Sequence, residues 1–145
     1  MTRADRQRYW DIRDAHDSLA GLSGHEDIEP GQVFDNSALG LAAQQPFLAL
    51  LNGEAYPDPW EKSAVAIRIV TQRHVFDQGN KRTAWLYAVT LLGQFGKIMP
   101  QDVTFDFVRP LMIAVTTKRL NDSSVIASCL QDFYMGRYDT SPPEG

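Results

Sequence analysis

Apolar positions recur at three- and four-residue spacing along most of the chain, while clean period-two alternation is almost absent. That pattern predicts a mostly helical protein. Trp10, Ala15 and Leu19 fit a first helix that begins near Arg6 and stops at Gly21. The following stretch, GLSGHEDIEPG over residues 21 to 31, is rich in Gly, acid and Pro and predicts a loop. A second helix is expected from Asp35 to Gln44, opened by Asp35 or Asn36 as a cap and carrying Leu39, Ala42 and Ala43. In PFLALLNGEAYPDP, Asn52-Gly53 is the strongest hairpin signal, because a type I′ turn needs positive φ at both central residues. A small exposed flap is expected there, with Leu51, Asn52 and Gly53 at its tip and Tyr56-Pro57 ending it. Asp58 then caps a helix with Pro59 at its first position, Glu61 in its first turn, and Ala64, Ile67, Val70 and Thr71 as its core stripe.

That helix runs into the polar string HVFDQGNKR, residues 74 to 82. After it, TAWLYAVTLLGQFG is a nearly continuous apolar run of helical length, ending at Gly93 or Gly96, and predicts a helix buried on most of its circumference. Two further helices are expected at about Asp102 to Thr117 and Ser123 to Met135, the second opened by Asp122 or Ser123. The fold expected is all-α: a single compact domain over residues 1 to 136 with one small β-hairpin, followed by a Pro-rich, frayed tail over 137 to 145.

Composition narrows the possibilities. A chain of 145 residues can bury roughly 70% of the surface it exposes when unfolded, so one domain needs no staple. The lone cysteine, Cys129, lies in an apolar stretch and is expected to be a small core side chain, and the absence of a second cysteine points to a reducing cytoplasm. The charged N-terminus, MTRADRQRYWDIRD, lacks the apolar core of a signal peptide, and no apolar run approaches the length that spans a bilayer. A soluble cytoplasmic protein with no membrane association is expected. A formal charge of -4 without a basic cluster argues against direct nucleic-acid binding.

The chemistry concentrates in HVFDQGNKR. Gly79 permits a tight turn, and the N–H groups of Gly79, Asn80 and Lys81, at the start of the next helix, would face one concavity. Free N–H groups at a helix N-terminus bind anions, because dipole and unpaired donors act together. Lys81 adds a point charge and Arg82 a planar fork for two phosphate oxygens. His74 can take a proton from a hydroxyl nucleophile, and Phe76 would anchor the loop in the core. A base facing a phosphate cradle suits transfer of a phosphorus-centred group from a nucleotide to a hydroxyl. Taken singly, His74 could be a dipole partner at a helix end and GNKR an ordinary turn. As one ordered string between a capped helix and a buried one, they favour the site.

The string HVFDQGNKRTA resembles the signature of the Fic/Doc family, HPFxDGNKRTA in its toxin-like branch. DAHDSLAGLSG resembles the family's N-terminal helix and Gly-containing loop, DNSALGLAAQQP the stretch before the flap, and YPDPWEKSAVAIRIVTQ the helix leading into the motif. NDSSVIASCLQDFY resembles the closing helix of the Doc (death-on-curing) toxins, so the likeness covers most of residues 10 to 136. The resemblance implies a helical Fic fold and a transferase that uses ATP and Mg²⁺ to modify a hydroxyl on a target protein. By position it makes His74 the general base, Phe76 the core anchor, Gly79 and Asn80 phosphate-loop residues and Arg82 the phosphate clamp. Lys81 stands where many adenylyl-transferring members have glycine, and in Doc-like members this lysine accompanies transfer of the γ-phosphate. The resemblance therefore favours phosphorylation over AMPylation, with a threonine of elongation factor Tu as the target that the Doc precedent suggests. The hairpin around Leu51, Asn52 and Gly53 corresponds to the flap that holds a target segment by strand addition.

Val75 replaces the family's frequent proline, as a branched aliphatic does in other Doc-like proteins. Gln78 stands at the position of the acidic Mg²⁺ ligand, and an amide oxygen is the weaker ligand for that ion. The neighbouring Asp77 is the candidate to supply the missing charge, through a water or a shifted loop. The alternatives are weak metal dependence, or a silent module that binds nucleotide or protein and catalyses poorly. Residues 140 to 145, TSPPEG, match the letters of the inhibitory helix of many Fic proteins, Ser/Thr-x-x-x-Glu-Gly/Asn. Consecutive prolines cannot sit inside such a helix, so the match is set aside and a separate antitoxin is the expected inhibitor. Among the other histidines, His16 is expected to be structural and His25 solvated.

Overall fold

The computed structural model describes residues 1–22 and 28–138. His25 and the inhibitory-helix match at 140–145 lie outside the described residues. Helix α1, Arg3–Leu19, starts three residues before the expected Arg6, because Thr2 and Asp5 form a reciprocal capping box that satisfies the first turn. Helix α2, Asn36–Gln44, is capped by the Asp35 carboxylate, which accepts from the Ala38 N–H at 3.0 Å. A short 3₁₀ turn, Gln45–Phe47, leads into strands β1 (Ala49–Leu50) and β2 (Gly53–Glu54), which pair antiparallel.

The hairpin exists, but its register corrects the expected turn. Leu50 pairs with Gly53, so the two-residue loop is Leu51-Asn52 rather than Asn52-Gly53. The non-glycine residues with positive φ in the described chain are His74 and Lys118, which excludes a type I′ turn at this tip. The reversal is absorbed one residue later by Gly53, at φ 115°, where the missing Cβ makes it inexpensive.

Helix α3, Pro59–Gln72, follows its sequence signals closely: Asp58 caps it at 2.7 Å from the Glu61 N–H, and Pro59 opens it. It is the central element, packed against α2, against helix α4 (Asn80–Gln94), and against helices α5 (Phe105–Thr116) and α6 (Ser123–Met135). Its expected stripe is buried, with Ala64, Ile67 and Val70 wholly inaccessible. Each large aliphatic side chain buried here contributes about 1.5–3 kcal/mol. Helix α4 is buried through Trp85, Tyr87, Ala88, Leu91 and Leu92, leaving Leu86, Thr90 and Gly93 as an exposed stripe. Helix α5 starts at Phe105 rather than Asp102 because the Thr104 hydroxyl caps it, and exposed Pro110 lies within it. Helix α6 has the expected bounds, capped by Asp122.

The architecture is all-α with one small two-stranded sheet. No helix among the described residues is long and apolar enough to cross a membrane. Cys129 is half-buried rather than a core side chain, since it flanks the α6 face formed by Ile126, Ala127 and Leu130. Its thiol is pushed up by burial and by the nearby Asp132 carboxylate, which keeps it protonated and poorly nucleophilic.

Candidate active site

The polar string occupies the junction of α3 and α4, the two central helices. Arg73 closes α3, and His74 follows in the left-handed region at φ 54°. This is the post-cap position where glycine is usual. A non-glycine residue held there is strained. His74 is exposed, with its ring edge-on to Phe34 at 5.6 Å.

The next residues fasten the loop from beneath. Val75 and Phe76 are buried, and the Val75 carbonyl accepts from the N–H groups of Phe34 and Asp35. Phe76 stacks on His16 with ring centroids 3.9 Å apart and planes 5° from parallel. His16 Nε2 lies 3.1 Å from the Gln78 carbonyl; a carbonyl can only accept, so this nitrogen carries the proton. Phe76 is buried at the base of the loop, and His16 supports that loop from α1.

Asn80 plays a different part from that of a phosphate-contacting side chain. Its Oδ1 accepts from the Phe76 N–H at 2.8 Å, and its Nδ2 donates to the Phe76 carbonyl at 2.6 Å. Both ends of the amide thus close the loop on Phe76, and the backbone N–H of Asn80 has no acceptor among the described residues. Gly79 caps α4 in the left-handed region at φ 83°, and a Cβ there would stand 2.9 Å from Ile28 Cδ1. No side chain caps α4. The N–H groups of Asn80, Lys81 and Arg82 have no acceptor among the described residues, which leaves a helix N-terminus open to an anion.

Lys81 is exposed beside this opening. Arg82 leans toward α5, with its guanidinium 4.2 Å from the Phe105 ring centre and 3.9 Å from Asp106 Oδ1. Asp106 is held more closely by Arg109, at 2.7 Å, and is mostly exposed, so it holds Arg82 weakly. Asp77 and Gln78 are both exposed, and the Asp77 carboxylate is the anionic oxygen that the motif offers a magnesium ion. Asp77 is a lone carboxylate here: no group of three or more His, Cys, Asp or Glu side chains that could hold a metal ion is found among the described residues, so any Mg²⁺ would need nucleotide phosphates for the rest of its ligands.

The flap residues Leu51, Asn52 and Gly53 are exposed and do not themselves touch the string. Between them a cleft of about 360 Å³ runs along α3, with Tyr56 after the hairpin at one wall and Arg68, Gln72 and Arg73, the residues that lead into His74, at another; no residue of the flap or of the string itself lines it. Sequence reasoning missed this cleft, along with Phe34 and Ile28, because its far wall (Leu41, Gln45 and Tyr56) and those two residues come from parts of the chain well before the motif. Only His16 had left a sign: its spacing from Ile12 and Leu19 places it on the buried face of α1.

Residues 7–92 match the family model described as Fic/DOC family, from α1 to α4 and through the whole junction. The chain is 32% identical over 96 residues to the Toxin Doc of Mycolicibacterium smegmatis (strain ATCC 700084 / mc(2)155), covering 66% of this chain and 74% of that protein. No solved structure matches significantly. The match spans the capped helix, the anchored loop and the open helix terminus, and the chain belongs to the Fic/DOC family.

Proposed function

We propose that this chain is a toxin-type transferase that moves the γ-phosphoryl group of ATP to a hydroxyl side chain of a target protein. The observation that carries this reading is the open N-terminus of α4, with Lys81 beside it, on the same short loop as the exposed His74. The N–H groups of Asn80, Lys81 and Arg82 bind phosphate oxygens, and the Lys81 and Arg82 cations offset the charge that spreads over them during transfer. His74 accepts the proton of the target hydroxyl. The hydroxyl oxygen forms a bond to the γ-phosphorus as the bond to the β,γ-bridging oxygen breaks, and ADP leaves. Asp77 would hold Mg²⁺, which when bound neutralises phosphate charge.

The kinship with a protein named Toxin Doc supports a toxin role with a separate antitoxin. Elongation factor Tu is the target suggested by the Doc-like signature, with arrest of translation in the cytoplasm as the outcome. The domain proposed is residues 1 to 136, with the tail beyond it. AMP transfer is the second enzymatic reading, since the cradle binds phosphate in either nucleotide orientation. The exposed Gln78 favours a third, a catalytically silent binding module.

One experiment separates the three. The protein is incubated with cell lysate, or with purified elongation factor Tu, and ATP labelled at the α or the γ phosphorus. Label from γ alone is expected. Label from α means AMP transfer, and ATP binding without transfer means the silent module. Retention of transfer by His74→Ala would remove His74 as the base.

A further inference from the structure

Lys62 is a charged residue in the core of α3, 2% exposed and distant in sequence from the motif. Burial of an ammonium is costly unless each of its donors is satisfied. Here all three are aimed at the hairpin and its feet. Nζ donates to Glu54 Oε1 of β2 at 2.8 Å, to the Tyr56 carbonyl just after β2, and, at 3.4 Å, to the Pro46 carbonyl just before β1. The same nitrogen lies 4.9 Å from the centre of the Phe47 ring. The hairpin has little else to hold it: its strands are two residues each and exposed, too short to be stable alone.

We propose that Lys62 is a positioning residue that fixes the flap and the adjoining cleft wall, so that a target segment is received in one register. The physical link is Tyr56. Its carbonyl is held by Lys62, while the residue forms part of the wall of the cleft that leads to Arg73, the residue before His74. Leu48, on the entering side, is tied to the leaving side by the Ala55 N–H to Leu48 carbonyl bond at 2.9 Å. Both feet of the flap therefore move together, and Lys62 clamps the pair to α3, the helix that runs into the loop carrying the proposed base. Lys62 touches neither phosphate cradle nor His74, so its effect falls on the target and not on the nucleotide.

This inference rests on the proposed transfer reaction, and the test separates the two. Lys62→Met keeps most of the buried stem and removes the charge; Glu54→Gln weakens the clamp from its exposed side and leaves the core intact. In both, amide exchange over residues 48 to 56 is measured alongside KM for target and for ATP. For Lys62→Met, exchange at Ala55 is expected to quicken and KM for target to rise about tenfold, the equivalent of one charge-assisted hydrogen bond. KM for ATP stays within about twofold, a split that a general loss of structure would not produce. Glu54→Gln is expected to shift the same two readouts in the same direction by less, and it decides the matter if Lys62→Met does not fold. Unchanged exchange over 48 to 56, or an unchanged KM for target, in a folded variant overturns the proposal. If the wild type transfers nothing to any target, the proposed reaction fails, and the exchange measurement still decides whether Lys62 holds the flap.

Discussion

His74 has a backbone that favours glycine and a side chain that the chemistry needs. In the left-handed region a Cβ costs about 1–2 kcal/mol relative to glycine. His74→Gly is therefore expected to be about 1 kcal/mol more stable than His74→Ala by urea denaturation, while both lose transfer. Asn80 makes the opposite case, with a side chain consumed by structure. Asn80→Ala strips the Phe76 N–H and carbonyl of their partners in a buried setting. A loss of about 3 kcal/mol in stability is expected from two orphaned backbone groups, measurable by chemical denaturation. Equal stability of the variant would mean that the loop closes without Asn80.

At the scale of elements, the caps decide where helices begin, and they were readable because a cap acts over three residues. Asp35, Asp58 and Asp122 were each visible as cap candidates in the sequence, and each caps its helix. Thr2 and Thr104 also cap, but the apolar periodicity of their helices does not begin beside them, so it does not mark them as starts. Asp122 accepts from the Ser124 hydroxyl and N–H, and these bonds hold its carboxyl below the usual carboxylate range. A depressed native pKa means that this stabilisation is complete above the ordinary carboxylate range and is lost as pH falls through the depressed value. Asp122→Asn, which keeps a capping oxygen without the charge, is expected to flatten the fall in the urea midpoint between about pH 5 and pH 2. In α5, Pro110 is exposed and denies the Asp106 carbonyl its helical partner. Pro110→Ala is expected to raise stability, by no more than about 3 kcal/mol, in a thermal or urea titration.

At the scale of the whole molecule, one buried cluster runs from Ile12 through α3 and α4 to Leu130. Because no element has a core of its own, unfolding should be a single transition. The fluorescence of the buried Trp60 and Trp85 and the far-UV helical signal are expected to be lost at the same urea concentration. Separate midpoints would divide residues 1 to 136 into more than one unit. The same packing holds both ends of the nine-residue string, because α3 and α4 are packed against each other in the core.

Sequence alone determined the all-α class, the course of α2, α3 and α6, the existence of the hairpin, and the string that places this chain in its family. These are local properties, written in three- and four-residue periodicity, in cap residues and in contiguous letters. Tertiary structure decided how the string is held: His16 reaches Gln78 across 62 positions, Ile28 packs against Gly79 at its positive φ, and Asn80 turns inward. It also moved the hairpin turn by one residue and gave Lys62 to the flap. Such contacts depend on which faces of distant helices meet, and packing of that kind leaves no periodic trace in the order of residues.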